Sequence, residues 1–373
     1  MVIKQGYTRV LHGQNFVLAC VLFIASSVFT DLFQYLVTQA YGLPSDWVTG
    51  ACKFDCEWYT SILEKGYYLE PMNHHIHIKG DSANWAFFPA FPLIAGAVAS
   101  LLNTASELAL IITSKIFLLL SIFAFITLAE EELGADKKAF AGLILAFNPY
   151  IIHAHSGYTE TLYFFLTTLG FLLLRRKSWI LAGIAGGLLS ATRPVGFIFS
   201  LVYITHAWRL AKDKIPGVWP GYILGLMLSG LGLACYMAYL HFHMGDALSF
   251  AHVQIAWWRH LGDPLNVLME HIKLAWEPNF PSLLALASLA MSIWFAIRRR
   301  FDYALLIAGS TLVPWSTGLM SMPRYIFWQM PVLLGLVQLL AKDKLLSALY
   351  LIFSAGMSGF VIVTWFKNNP FAI

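Results

Sequence analysis

Charge is what this chain lacks. Lys, Arg, Asp and Glu make up only 12% of its 373 residues, against about a quarter in soluble globular domains. That deficit excludes an ordinary water-soluble domain, and with 58% hydrophobic and 15% aromatic residues the composition reads as an all-α polytopic integral membrane protein. Sustained heptads, low-complexity tracts and internal repeats are absent, which leaves one integrated membrane domain over residues 1–373. The formal excess of +4 comes from loop Lys and Arg, so membrane lipid is an expected partner and nucleic acid is not. A cleavable signal peptide is not expected either, because the first apolar run lacks a small-residue cleavage site and continues toward Phe33 and Val37.

What the chain has is apolar length. Since roughly 20 apolar residues cross hydrocarbon, about eleven spans are expected. They fall at 16–37, 107–129, 139–155, 158–174, 179–192, 195–209, 217–240, 282–297, 303–320, 325–341 and 345–366. The run 86–102 is assigned to an interfacial or re-entrant helix, because a full span there would put Arg175, Arg176, Lys177 and Arg298, Arg299, Arg300 outside, against the positive-inside rule. With that choice the cytoplasmic side receives the N-terminus with Lys4 and Arg9, then Lys137-Lys138, Arg175 to Lys177, Arg209, Lys212, Lys214, Arg298 to Arg300, Lys342 and Lys344. The opposite face receives two long segments, 38–106 and 241–281, and tight junctions at Ser156-Gly157, Arg193-Pro194 and 321–324. The chemistry is therefore expected on the outer face.

The outer segments carry the candidate site residues. Asp55 and Glu57 stand two apart beside Trp58 and Tyr59, a pattern suited to deprotonating an acceptor hydroxyl or orienting a sugar. On a helix, side chains at i and i+2 diverge by about 200°, so only one of the pair can face a substrate. A solvated amphipathic helix explains the same spacing. The cluster Trp85 to Pro92 suits a bend into the membrane surface or an aromatic belt. Glu160, at the outer end of an apolar helix, needs a partner or caps a helix start. Arg193 and Arg324 in outer turns together suggest an anion site, or else snorkel singly. Phe250, Gln254, Trp257, Trp258 and Arg259 have the spacing of a helix lying on the membrane surface. Asp31 and Lys115 lie within spans, where they pair with each other or Lys115 approaches a lipid phosphate. His74, His75 and His77 have metal-compatible spacing, but without a Cys or carboxylate pattern an exposed loop is preferred. Cys52 and Cys56 are within disulfide reach on a helix, and free thiols are the expectation.

Taken in order, these motifs resemble the PIG-V mannosyltransferases, members of the multi-spanning GT-C glycosyltransferases. The resemblance rests on Phe54-Asp55-x-Glu57-Trp58-Tyr59, Ala86-Phe87-Phe88-Pro89-x-Phe91-Pro92, Asn148-Pro149, Ser156-Gly157-Tyr158-Thr159-Glu160-Thr161-Leu162, Arg193 to Gly196, Gln254 with Trp257-Trp258-Arg259, and Arg324-Tyr325. Two departures stand out: Phe54 occupies a position where Trp is usual, and Trp58 one where His is common. A chain shorter than eukaryotic members and without an Asn-x-Ser/Thr sequon favours a prokaryotic relative.

The resemblance implies a GT-C-like fold with outer-face amphipathic or re-entrant helices, and mannosyl transfer from a polyprenyl- or dolichyl-phosphate-linked donor to a lipid-linked or glycan acceptor. Such work takes place on the periplasmic face of a bacterial inner membrane, or the lumenal leaflet of the endoplasmic reticulum in a eukaryote. It implies Asp55 as general base for an inverting attack, with Glu57 positioning the acceptor or substituting as base. Arg193, Arg324 and Lys115 would hold the donor phosphate, and Trp58, Tyr158, Glu160, Gln254, Trp258 and Arg259 would contact sugar or acceptor. No cofactor is implied, and a divalent-cation requirement is left open. Two rival functions are a lipid-linked oligosaccharide ligase or polymerase and a secondary transporter. Transport is disfavoured because the polar groups gather at outer helix ends rather than at the membrane midplane.

Overall fold

The structure, a computed structural model, describes residues 2–43, 46–70, 82–213, 217–257, 259, 266, 269–270, 273, 280–319 and 321–372. The described residues form helices α1 (Val2–Tyr41), α2 (Trp47–Ala51), α3 (Asp55–Lys65), α4 (Ala90–Leu102), α5 (Ser106–Leu133) and α6 (Lys138–Ala146). Then come α7 (Glu160–Arg175), α8 (Trp179–Ser190), α9 (Ile198–Asp213), α10 (Trp219–Ser229), α11 (Leu231–Met244) and α12 (Ser249–His252). The C-terminal part adds α13 (Phe280–Ile297), α14 (Phe301–Trp315), α15 (Met322–Phe327), α16 (Met330–Leu340) and α17 (Lys344–Phe366).

Helix α5 is the axis of the bundle, mostly buried and packed against α1, α4, α6 and α7. The peripheral helix α1 shows the patterning of a lipid-facing element. Val17, Val21, Ile24, Val28 and Leu32 recur at helical spacing and are more than half exposed, whereas Ser26 and Thr30 face inward and are fully buried. Small residues let neighbouring helices approach: a Cβ at Gly183 on α8 would lie 2.3 Å from the carbonyl oxygen of Gly225 on α10.

Four of the described helices are long and apolar enough to cross a membrane, namely residues 13–41 of α1 together with α5, α13 and α17. The α10–α11 pair, bent by 41°, makes a fifth if taken as one span. The other expected spans are not long helices: α8 has 12 residues and α16 has 11, about 16–18 Å at 1.5 Å per residue. Proline accounts for much of the shortening. Pro149, Pro194, Pro323 and Pro331 interrupt helical hydrogen bonding, and the 3-10 turns Ile151–His155 and Pro194–Phe197 carry the chain there. Irregular backbone at membrane depth is tolerated where protein or a cavity surrounds it. Within the 86–102 run, α4 has 13 residues, again short of the roughly 30 Å of hydrocarbon.

The charges sort to the two ends of α7. At its Arg175 end, Glu132 of α5 accepts hydrogen bonds from Arg175 (2.7 Å), from Arg300 (2.5 Å) and from the Tyr303 hydroxyl (2.8 Å). Glu131 pairs with Arg176 at 2.7 Å, and Arg300 also pairs with Asp302 at 3.1 Å. These bonds tie the ends of α5 and α7 to the start of α14, and Glu130 adds α6 through Lys138 (2.9 Å) and α1 through Asn15 (2.6 Å). The other end of α7 begins at Glu160 and opens on a cavity.

Candidate active site

Asp55 is the first residue of α3, and the residue before it sets its direction. Phe54 has φ 55° and ψ −112°, a region that L-residues other than glycine rarely occupy and that costs about 1–3 kcal/mol. The turn is held in several places. The Asp55 amide donates to the Tyr158 hydroxyl (3.2 Å), which donates in turn to the Lys53 carbonyl (3.2 Å). The Phe54 ring meets Trp365 edge-on at 5.2 Å. Cys52 and Cys56 are joined by a disulfide with a Cα–Cα separation of 5.2 Å, so the free thiols expected from sequence are corrected. The non-helical turn through Phe54, between the end of α2 and the start of α3, brings the two sulfurs together.

The carboxylate that this turn aims is met by cations from distant parts of the chain. Arg324, on the short helix α15, donates to Asp55 Oδ2 at 2.9 Å and stands 3.3 Å from Glu160 Oε1 through Nε. Arg193, extended between α8 and the 3-10 turn Pro194–Phe197, hydrogen-bonds the same Glu160 oxygen and donates to the Thr159 hydroxyl at 2.7 Å. Arg259 donates to Tyr325 and Ser321 hydroxyls, both at 3.2 Å. The Tyr325 ring lies among the three guanidinium groups, with centroid distances of 5.1 Å to Arg324, 5.4 Å to Arg193 and 6.0 Å to Arg259, a favourable cation–π arrangement. The Glu160 side chain is wholly buried and that of Arg324 is 4% exposed, whereas Asp55 keeps 24% exposure. Buried charges persist only when paired, and Glu160 fills that role for both arginines.

These groups surround a cavity of about 300 Å³. The charged residues lining it are Asp55, Arg193, Arg259 and Arg324, and its remaining wall is largely aromatic and apolar. With Glu160 behind the wall, two carboxylates stand against three guanidinium groups, leaving one positive charge uncompensated. The cavity therefore combines an anion-attracting rim with a partly exposed carboxylate and flat aromatic walls.

Of the residues singled out from sequence, Asp55, Arg193, Arg324, Gln254 and Arg259 line the cavity. Glu57 is exposed and outside it, the outcome that the i, i+2 divergence allows for one member of the pair. Lys115 is elsewhere: it sits 3.7 Å from Asp31 and over the Trp47 ring at 4.7 Å, because its face of α5 turns toward α1. Tyr158 is fully buried beneath the Phe54 turn, with its hydroxyl engaged by backbone. Trp58 backs the wall, stacked on Phe87 at 5.7 Å and edge-on to Trp257 at 5.5 Å. Trp258 lies outside the described residues, as do His74, His75 and His77. Among the described residues no group of three His, Cys, Asp or Glu is arranged to hold a metal ion.

Tyr59, Phe87, Trp257 and Tyr325, named in the motifs without a site role of their own, also line the cavity, and Tyr163 and Gln329 are additional to the residues named from sequence. Tyr163 stands one helical turn from Thr159, so a face reading of α7 reaches it.

No protein-family model matches the chain. A curated relative, GPI alpha-1,6-mannosyltransferase 2 of Cricetulus griseus, is 29% identical over 170 residues, covering 42% of this chain and 31% of that protein. Among solved structures, ArnT from Cupriavidus metallidurans bound to undecaprenyl phosphate aligns with a TM-score of 0.50 at 18% identity, over 92% of this chain and 63% of that one. The apo oligosaccharyltransferase of Archaeoglobus fulgidus aligns with a TM-score of 0.50 at 13% identity, over 95% of this chain and 55% of that one. The chain thus spans about a third of its curated relative and a little over half of these structural neighbours. The described residues share the helical fold of these two solved structures, and the likeness to PIG-V mannosyltransferases expected from the motifs is matched by the curated relative, a GPI mannosyltransferase.

Proposed function

We propose that this protein is a multi-pass membrane glycosyltransferase that moves a mannosyl residue from a polyprenyl- or dolichyl-phosphate-linked donor to a hydroxyl of a lipid-linked or glycan acceptor. The observation that carries the reading is the juxtaposition of Asp55 with Arg193, Arg259 and Arg324 around one aromatic-walled cavity. A sugar phosphate presents an anion to guanidinium groups and an apolar sugar face to rings, and this cavity offers both. The mannosyltransferase likeness and a neighbour holding undecaprenyl phosphate support the same substrate class.

In this reading the donor phosphate binds among the arginines and competes for Arg324, releasing Asp55 from its ion pair. Asp55 takes the acceptor hydroxyl proton while that oxygen attacks the anomeric carbon from the face opposite the phosphate. The bond between anomeric carbon and phosphate oxygen breaks, and the lipid phosphate leaves with the electron pair, its charge met by guanidinium groups already in place. The product has inverted configuration. The site faces the outer or lumenal leaflet, with the Arg175–Arg300 end of the bundle in the cytoplasm, as the positive-inside rule directs.

The test is transfer of radiolabelled mannose from polyprenyl-phosphate-mannose to a membrane extract, comparing wild type with Asp55→Asn at equal folded yield. Labelled product from wild type alone is the expected result. No transfer by wild type from any lipid-linked sugar, or equal transfer by the variant, overturns the proposal.

A further inference from the structure

We infer that Tyr158 is a positioning residue for Asp55, holding the strained turn at Phe54 so that the carboxylate faces the cavity. The inference rests on the transferase reading for its consequence, but the geometry stands by itself. Lys53 and Asp55 flank Phe54, and the single Tyr158 hydroxyl bridges them, accepting from one amide and donating to the other residue's carbonyl. The Asp55 amide, at the first position of α3, has no partner within the helix, and Tyr158 supplies it. The hydroxyl cannot drift. The Tyr158 ring is fully buried, meets His153 at 4.9 Å and Trp365 at 5.5 Å, and has the Arg324 guanidinium 5.3 Å away.

The preceding residue locks the same parts together. Gly157 has φ +72°, and a Cβ there would lie 2.7 Å from Cys56 Sγ. The turn carrying Tyr158 is therefore docked on the Cys52–Cys56 disulfide, which encloses Phe54 within its loop. One segment touches Asp55 from below through its backbone amide, while Arg324 meets the carboxylate from the cavity side. Without the hydroxyl bridge, Phe54 can relax toward negative φ, which rotates the start of α3 and withdraws the carboxylate from Arg324.

The experiment compares wild type, Tyr158→Phe, Phe54→Gly and the double variant, using polyprenyl-phosphate-mannose as donor. Tyr158→Phe keeps the ring and removes only the bridge. Its kcat is expected to fall about tenfold or more, with the donor KM within about twofold of wild type. Glycine holds a positive φ without a Cβ penalty, so in the Phe54→Gly background the same change should cost less than about threefold in kcat. An unchanged kcat, a loss carried entirely by KM, or the same loss in both backgrounds overturns the inference. Hydrogen exchange of the Asp55 amide gives a readout that needs no activity: protection in wild type and loss of protection in Tyr158→Phe are expected. An unprotected amide in wild type overturns the clamp, whereas a protected amide in a protein that transfers no sugar places the failure in the transferase reading.

Discussion

Arg324 and Asp55, 269 positions apart in the chain, meet at 2.9 Å across the mouth of the cavity. The same guanidinium reaches Glu160, so one buried cation links the partly exposed carboxylate to the hidden one. Removing its charge affects the two partners differently, because Glu160 retains Arg193 while Asp55 has, among the described residues, no second cation within ion-pairing distance. Arg324→Gln is expected to lower kcat/KM about a hundredfold, and steady-state kinetics against donor concentration check it.

Glu160 carries the larger share of stability. With its side chain wholly buried between Arg193 and Arg324, Glu160→Gln leaves two buried guanidinium groups short of a counter-charge. Breaking a buried pair in this way costs about 3–5 kcal/mol. Thermal unfolding in detergent should show a midpoint several degrees lower, and an unchanged midpoint would remove Glu160 from the structural role assigned to it.

Glu57 tests the acidic pair from the other side. It is exposed and outside the cavity, so Glu57→Gln should keep transfer within about twofold of wild type while Asp55→Asn abolishes it. A loss as large as that of Asp55→Asn would restore Glu57 as a second acid–base group.

Helix contact sets a different limit at Gly183. Because an added Cβ would meet the Gly225 carbonyl oxygen at 2.3 Å, backbone must move, and Gly183→Ala should destabilise by about 1–3 kcal/mol. Detergent-solubilised yield and unfolding midpoint measure the effect. Gly96, whose Cβ position is open, supplies the matched control: Gly96→Ala should leave both unchanged.

Much of the site was legible in the sequence because membrane burial makes charge conspicuous. A lone Asp55, Glu160, Arg193 or Arg324 at the end of an apolar run needs a partner, and those four are the ones that come together. The same logic left Lys115 two places, a pair with Asp31 or a lipid phosphate, and packing selects the first. Asp31 lies on the face of α1 that packs against α5, and it takes the role. Periodicity likewise anticipated helices yet overstated their length, because prolines near the cavity end break spans into short helices and 3-10 turns.

The sequence by itself determined that the chain is a helical membrane protein, that its basic loops alternate with acidic and aromatic junctions, and that only one of Asp55 and Glu57 could face a substrate. Those properties follow from composition and period, which each segment carries locally. Which junctions face one another was decided by the tertiary structure alone. The Asp55–Arg324 contact, the Tyr158 bridge across Phe54 and the shared use of Glu160 each join segments separated by 33 to 269 residues. Contacts at that range depend on how α3 and α7 pack on α5, α8 on α7, and α15 on α13 and α14, and no local pattern encodes that packing.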